Sequence, residues 1–329
     1  YYRLLLLSMA MILGGAFVFF ASGPIDGGHG LLQIEDHSTL RTTNWIKEDQ
    51  FIRQAYVTFY FSSESKERVL TLMESLRQTG TTADLLVMVL PHITHTERIL
   101  LCQAGLIVKV IDYFEPPMNS QDTTQIHISI LQAWLLNYDR VILLEPELLV
   151  LANIDDLFDL NGELLAVKSH NSNPTESTDT SISRFDTGLM VFTPSIQTYS
   201  KFLENQNGAS IQGVKEFLNQ FFKNWTSIST IYNADTLMKK DNLETFPSLD
   251  DIKVVRFGEE KPWTLTNVNM NKGNEDSKDS KDKKDDQKEE QIDELKALAN
   301  IWVSKFKNLE SRIQNTQNKQ DTAQCVLDS

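Results

Sequence analysis

From Ala55 onward, short continuous apolar runs alternate with stretches whose apolar residues recur every three or four positions. The run AYVTFYF at 55–61 reads as a β-strand, and the segment from Lys66 to Arg77 sets Val69, Leu72, Met73 and Leu76 on one helical face. The unit then repeats. Leu85 to Leu90 is an apolar strand, Thr94 to Ala104 a helix, and Leu106 to Ile111 a strand again. A further helix from about Ile126 to Leu136 leads into the run from Arg140 to Leu144, which is apolar without alternation and therefore reads as a strand buried on both faces. Strands alternating with helices imply a parallel sheet covered on both sides. Residues just past such a strand lie at its carboxyl end, where open α/β sheets take ligands.

Different patterns flank this block. Leu4 to Ala21 is a stretch of roughly 18 apolar or small residues without a charge, preceded by Arg3, and is long enough to cross a bilayer. It reads as an uncleaved single-pass type II signal anchor, with a cleaved signal peptide ending near Ala21-Ser22-Gly23 as the competing reading. Either sends the rest of the chain into a secretory lumen. Gly23-Pro24 closes the run, and the polar stretch to Gln54 suits a flexible stem. Asn271 to Glu290 carries no apolar side chain and is expected to be disordered. Beyond it Ile292, Leu295, Leu298, Ala299, Trp302, Val303, Phe306 and Leu309 form an amphipathic stripe. That helix docks on the domain or on a second copy, and deleting everything from Lys272 is expected to leave a folded core. The organisation predicted is an anchor at 4–21, a stem at 22–54, a globular domain at 55–263, a charged linker at 264–290 and a helix at 291–318.

Composition narrows the partners. A net charge of −14, with no basic stripe, argues against nucleic acid, because phosphate backbones require clustered cations. The two cysteines, Cys102 and Cys325, lie far apart and suggest neither a disulfide framework nor a cysteine metal site. Asn224-Trp225-Thr226 is a glycosylation sequon, consistent with a lumenal domain.

The strand at Arg140 continues as VILLEPELLVLANIDDLF, and here the sequence resembles the glycogenin-like sugar-nucleotide transferases of glycosyltransferase family 8. In that family the matching segment is a strand, an Asp-x-Asp pair and a short helix ending in Asp-Leu-Phe. AYVTFYF resembles the family's nucleotide-binding first strand, SLRQTGTTADLLVMV from Ser75 its second unit, and FDTGLMVFTPS from Phe185 its Asn-Ser-Gly segment. STIYNAD from Ser229 is similar to a block of the plant glucuronosyltransferase-like branch, and GEEKPW from Gly258 to the Gly-x-x-Lys-Pro-Trp that covers the diphosphate. The resemblance implies a single Rossmann-like α/β domain of the GT-A type, a Golgi or other secretory-membrane location, and retaining transfer of a hexosyl or uronosyl group. The donor would be a UDP-sugar and the acceptor a glycan, protein or lipid.

The resemblance also implies a site, which this chain alters. Mn²⁺ would lie between the two acids of Asp-x-Asp and a His shortly before Lys-Pro-Trp, neutralising the diphosphate as it leaves. Here the acids are Glu145 and Glu147 around Pro146, each one methylene longer, and the His position falls on Val255 or Arg256. Arg256 could pair with phosphate directly in place of a cation. Val214 and Lys215 stand at the family's Asp-Gln pair, and the position of its helical Lys falls near Ser129, with His127 the nearest basic group. Asp186 is the carboxylate placed to contact the sugar, while Tyr56, Gly188, Arg256, Gly258 and Lys261 are the expected nucleotide contacts. Two readings follow: a transferase of impaired activity, or a catalytically inactive protein that binds a nucleotide-sugar or a transferase partner, its C-terminal helix available for homo- or hetero-oligomers.

Overall fold

The computed structural model describes residues 52–113, 128–169, 183–206, 213–236, 247–248, 250–257, 262, 283–316 and 326–327. All of them belong to one compact unit, Phe51–Ser329. The expected anchor and the stem as far as residue 51, together with Gly258, Lys261 and His127, lie outside the described residues, and the stem's last residue, Gln54, opens the first strand.

The predicted repeat forms nearly as read. Strand β1 (Gln54–Tyr60) is followed by helix α1 (Lys66–Gln78), β2 (Asp84–Val89), α2 (His95–Gln103), β3 (Ile107–Val110) and, later, β4 (Arg140–Leu144). Thr94 caps α2 through a reciprocal pair: its hydroxyl accepts from the Glu97 N–H while the Glu97 carboxylate accepts from the Thr94 N–H. Gly105, at φ 76°, turns the chain out of α2 in the left-handed conformation that glycine tolerates. Ser129–Leu135 is a 3₁₀-helix instead of the regular helix expected there.

β1 pairs in parallel with both β2 and β4, so its side chains are buried on either face. The parallel arrangement holds for β3-β2-β1-β4 and changes at β4. There β7 (Phe185–Phe192) runs antiparallel, Leu144 opposite Leu189, followed by β6 (Leu164–Lys168) and β8 (Thr226–Ile228). A smaller sheet joins β5 (Leu148–Val150), β10 (Val254–Arg256) and β9 (Ala234–Asp235). The main sheet is packed on both faces. On one side Trp134 stacks on Phe192 at 3.8 Å between ring centres and meets Phe202, from α3 (Ile196–Gln206), edge-on. On the other, α1 supplies Val69, Leu72, Met73 and Leu76.

The C-terminal helix departs most from expectation. Helix α5 (Lys283–Thr316) begins within the segment predicted to be disordered, because Lys, Gln and Glu propagate a helix readily once a packed portion has nucleated it. Its apolar stripe is used within the chain. Leu298 and Trp302 pack with Leu149, Val255 and Phe257, and Leu309 and Ile313 join the core beneath α1. Each such side chain stabilises by about 1.5–3 kcal/mol when buried. Arg312 Nη2 donates to Glu74 Oε2 at 2.8 Å and to the Ala104 carbonyl at 2.9 Å, and Lys305 Nζ reaches Gln78 at 2.6 Å. The helix is thus part of the core, so a chain ending before Lys272 would lose a wall of the domain. Beyond α5, β11 (Val326–Leu327) adds to the edge of β3, Val326 opposite Val108. Cys102 is disulfide-bonded, and the only other cysteine in the sequence is Cys325. The expectation of no disulfide fails because distance along the chain is not distance in space, and β11 returns the C-terminal segment to the sheet edge near α2.

Candidate active site

The site is built where β4 ends. After Leu144 the chain turns through Glu145-Pro146-Glu147 into β5, and the Glu145 N–H bonds the Gly188 carbonyl at 2.9 Å, fixing the turn against β7. Glu145 accepts from Thr187 Oγ1 at 2.9 Å and from the guanidinium of Arg256. Arg256 also donates to Asp186 Oδ1 at 2.7 Å, so one guanidinium bridges a carboxylate from the turn after β4 and one from β7. Asp186 is further held by Lys215 Nζ at 3.0 Å, Asn233 Nδ2 at 3.0 Å and the Gly188 N–H at 2.8 Å. Lys215 lies at the start of α4 (Val214–Phe221). On the far side of Pro146, Glu147 pairs with Arg68 of α1 at 2.8 Å.

These charges face open space. A cleft of about 490 Å³ is lined by Phe59, Ser62, Arg68, Glu145 and Glu147, and an adjoining one of about 240 Å³ by Phe59, Glu145, Thr187, Lys215 and Arg256. Both open at the carboxyl ends of β1 and β4, the position predicted from the sheet. The side chains of Arg256, Glu145 and Asp186 are 19%, 23% and 17% exposed, enough for a ligand to reach them and low enough for their charges to act strongly on one another.

The protonation states follow from that crowding. Burial alone would pull the Arg256 guanidinium down, but Glu145, Asp186, Asp235 and Glu147 together hold it above its ordinary value. Burial would likewise raise the Asp186 carboxyl, and Arg256, Lys215 and the Gly188 N–H outweigh it, keeping Asp186 below its usual range. For Glu145 burial prevails over Arg256, with Asp186 adding to the upward push, and its carboxyl sits above the ordinary range.

The structure brings together Glu145, Glu147, Asp186, Gly188 and Arg256 from among the expected residues. Of the two candidates for the His position, Val255 is fully buried with Leu149 and Trp302, whereas Arg256 faces the cleft. Gly188 is required by close approach, since a Cβ there would meet Asn233 Nδ2 and Asp186 Oδ1 at 2.9 Å each. Tyr56, expected at the nucleotide, is a correction. It lies toward the start of β1, fully buried, its hydroxyl donating to Asp155 at 2.6 Å and its ring edge-on to Phe158, so it packs the core and lines neither of these two clefts. Arg68, Thr187 and Asn233 were not foreseen as partners. Arg68 had a weak signal as a cation in the first turn after the nucleotide-binding strand, and Asn233 stood in the quoted STIYNAD block.

Mn²⁺ does not fit the donor set as it stands. The pair expected to bind it is divided between two arginines, Glu145 with Arg256 and Glu147 with Arg68, and the third family position supplies a guanidinium. Among the described residues no group of three or more His, Cys, Asp or Glu is placed to hold a metal ion.

No protein-family model matches the chain. It is 29% identical to galactinol synthase 2 of Arabidopsis thaliana over 263 residues, 68% of this chain and 77% of that protein. It is 29% identical to human glycogenin-1 over 230 residues, 65% of this chain and 63% of that protein. Among solved structures, the apo form of the glycosyltransferase GlyE from Streptococcus pneumoniae superposes with a TM-score of 0.51 at 16% identity, covering 81% of this chain and 64% of that one. Among the described residues no helix is long and apolar enough to cross a membrane.

Proposed function

We propose that this chain, a homologue of the galactinol synthases and glycogenins of glycosyltransferase family 8 with a GT-A-type fold, binds a UDP-sugar in the cleft beyond β4 and transfers its hexosyl or uronosyl group. The observation that carries the reading is the cluster of Arg256, Glu145, Asp186 and Lys215, brought from four separate elements to the carboxyl ends of the central strands, beside a cleft large enough for a nucleotide. Structural side chains placed only for stability have no need of a cleft.

Each group has a chemical task in this reading. Arg256 supplies a fixed positive charge where a diphosphate leaving group gains negative charge. Asp186, kept ionised by Arg256 and Lys215, is the carboxylate available to the sugar, and Asn233 and Gly188 fix its orientation. Thr187 and Arg256 orient Glu145. Val214 stands where the family resemblance has a polar side chain, and a valine can neither accept a hydrogen bond nor stabilise an oxocarbenium-like charge. Turnover is therefore expected to be slow. The second reading, binding without transfer, rests on that same residue.

Titration calorimetry with UDP, followed by an assay of UDP-sugar hydrolysis, tests the proposal. Saturable UDP binding with measurable sugar release supports a transferase, and binding without release supports the non-catalytic reading. Absence of UDP binding contradicts both. The secretory location is proposed on the apolar run at 4–21, on the disulfide at Cys102, which suits an oxidising lumen, and on Asn224, which is exposed. Retention in the membrane pellet after alkaline carbonate extraction is the expected result for an anchor, and release of the full-length chain would refute it.

A further inference from the structure

We infer that Arg256 is a built-in replacement for the divalent cation, so that the diphosphate of the donor is held without metal; this rests on the nucleotide-sugar reading above. A divalent ion here would take carboxylate oxygens, and among the described residues those that meet at one point are on Glu145, in the turn after β4, and Asp186, at the start of β7. The Arg256 guanidinium lies between them and is bound to both. A guanidinium stays cationic at every accessible pH, so the charge it supplies there is fixed. A metal could enter only by driving the guanidinium out. It would break two charge-assisted bonds and leave a second cation beside the first.

A phosphate group has no such conflict. The guanidinium is a planar fork whose remaining N–H donors can meet phosphate oxygens while the two carboxylates keep it aimed. Lys215 and Arg68 add positive charge on either side of Glu145, so the anion enters a site whose acids are already compensated. The backbone supports the substitution. β10 pairs antiparallel with β5, Arg256 opposite Leu148, which places residue 256 directly beside the Glu145-Pro146-Glu147 turn.

The test measures Mn²⁺ on the protein alone, by the electron paramagnetic resonance signal of the free ion. The wild-type chain should leave that signal unchanged. Arg256→Gln, which keeps most of the side-chain volume, should reduce it by uncovering Glu145 and Asp186, and adding Asp186→Asn should restore it. Wild-type protein that takes up Mn²⁺, and loses it in Glu145→Gln, would overturn the inference. In a parallel calorimetric titration, UDP should bind equally within about twofold in chelator and in Mn²⁺, and should weaken as salt is added. UDP binding that appears only with Mn²⁺ would also overturn it while sparing the nucleotide-sugar reading. If UDP binds in neither condition, that reading and the inference drawn from it fall together.

Discussion

Two clusters of arginine and carboxylate differ in how their charges are shared. Beneath α5, one acid, Glu74, is shared by two cations, Arg77 at 3.4 Å and Arg312 at 2.8 Å, and both arginines also donate to the Ala104 carbonyl. Burial and the like charge of Arg312 pull the Arg77 guanidinium down. Beyond β4 one cation, Arg256, is shared by two acids and is pushed up. The first cluster spends its extra donors on backbone oxygen and closes a helix interface. In the second Lys215 balances the second acid, no carbonyl takes up the spare donors of Arg256 in the hydrogen bonds described, and the group borders a cleft. The same chemistry thus makes a staple where its spare donors go to backbone oxygen, and a candidate anion site where they border a cleft.

The staple is expected to break first. Truncation before Lys272 removes Leu298, Trp302, Leu309 and Ile313 from the core, and the cooperative thermal transition should be lost. Trp302→Ala, at a side chain 1% exposed, should cost about 3–5 kcal/mol by chemical denaturation. A folded, cooperative truncated chain would show instead that α5 is an accessory.

At the open cluster the effect should fall on binding. Arg256→Ala should weaken UDP by about 1.5–3 kcal/mol, the size of a charged hydrogen bond, as read by calorimetry. Arg312→Ala should leave UDP affinity unchanged and cost about 1 kcal/mol of stability, since this side chain is one-third exposed and Arg77 still compensates Glu74. If Arg312→Ala weakened UDP as much as Arg256→Ala, the division of roles between the clusters would be wrong.

The smallest expected change is in pH dependence. Asp186 has a depressed carboxyl in the folded state, so its contribution is complete above the ordinary aspartate value, near pH 4, and disappears as pH falls through the folded value. The difference in melting temperature between wild type and Asp186→Asn should therefore be greatest near pH 7 and shrink on acidification. A difference that grows toward acid pH would mean that Asp186 is not held ionised by Arg256 and Lys215.

Much of this was legible from periodicity. The strands at 55–61, 85–90 and 140–144 and the helices at 66–77 and 94–104 have continuous apolar runs or a clear helical spacing, and the second helix also has a capping box, so their local sequence announces them. The position of Glu145 and Glu147 at a strand end followed from that frame. What sequence could not supply was pairing between distant residues. Lys215 reaches Asp186 from 29 positions away and Arg256 reaches Glu145 from 111, and nothing local to any of them announces the partner. Tyr56 misled because a strand buried on both faces hides its tyrosine as thoroughly as its valines. The charged start of α5 misled because it has no apolar face of its own and gains its helicity from the packed turns that follow.

A crystal structure of the chain soaked with UDP in the presence of chelator tests the central claim most directly. The account predicts uridine diphosphate in the cleft beyond β4, with phosphate oxygens within hydrogen-bonding distance of the Arg256 guanidinium and no metal between Glu145 and Asp186. Nucleotide bound elsewhere, or an Arg256 that keeps both carboxylates and touches no phosphate, would contradict it.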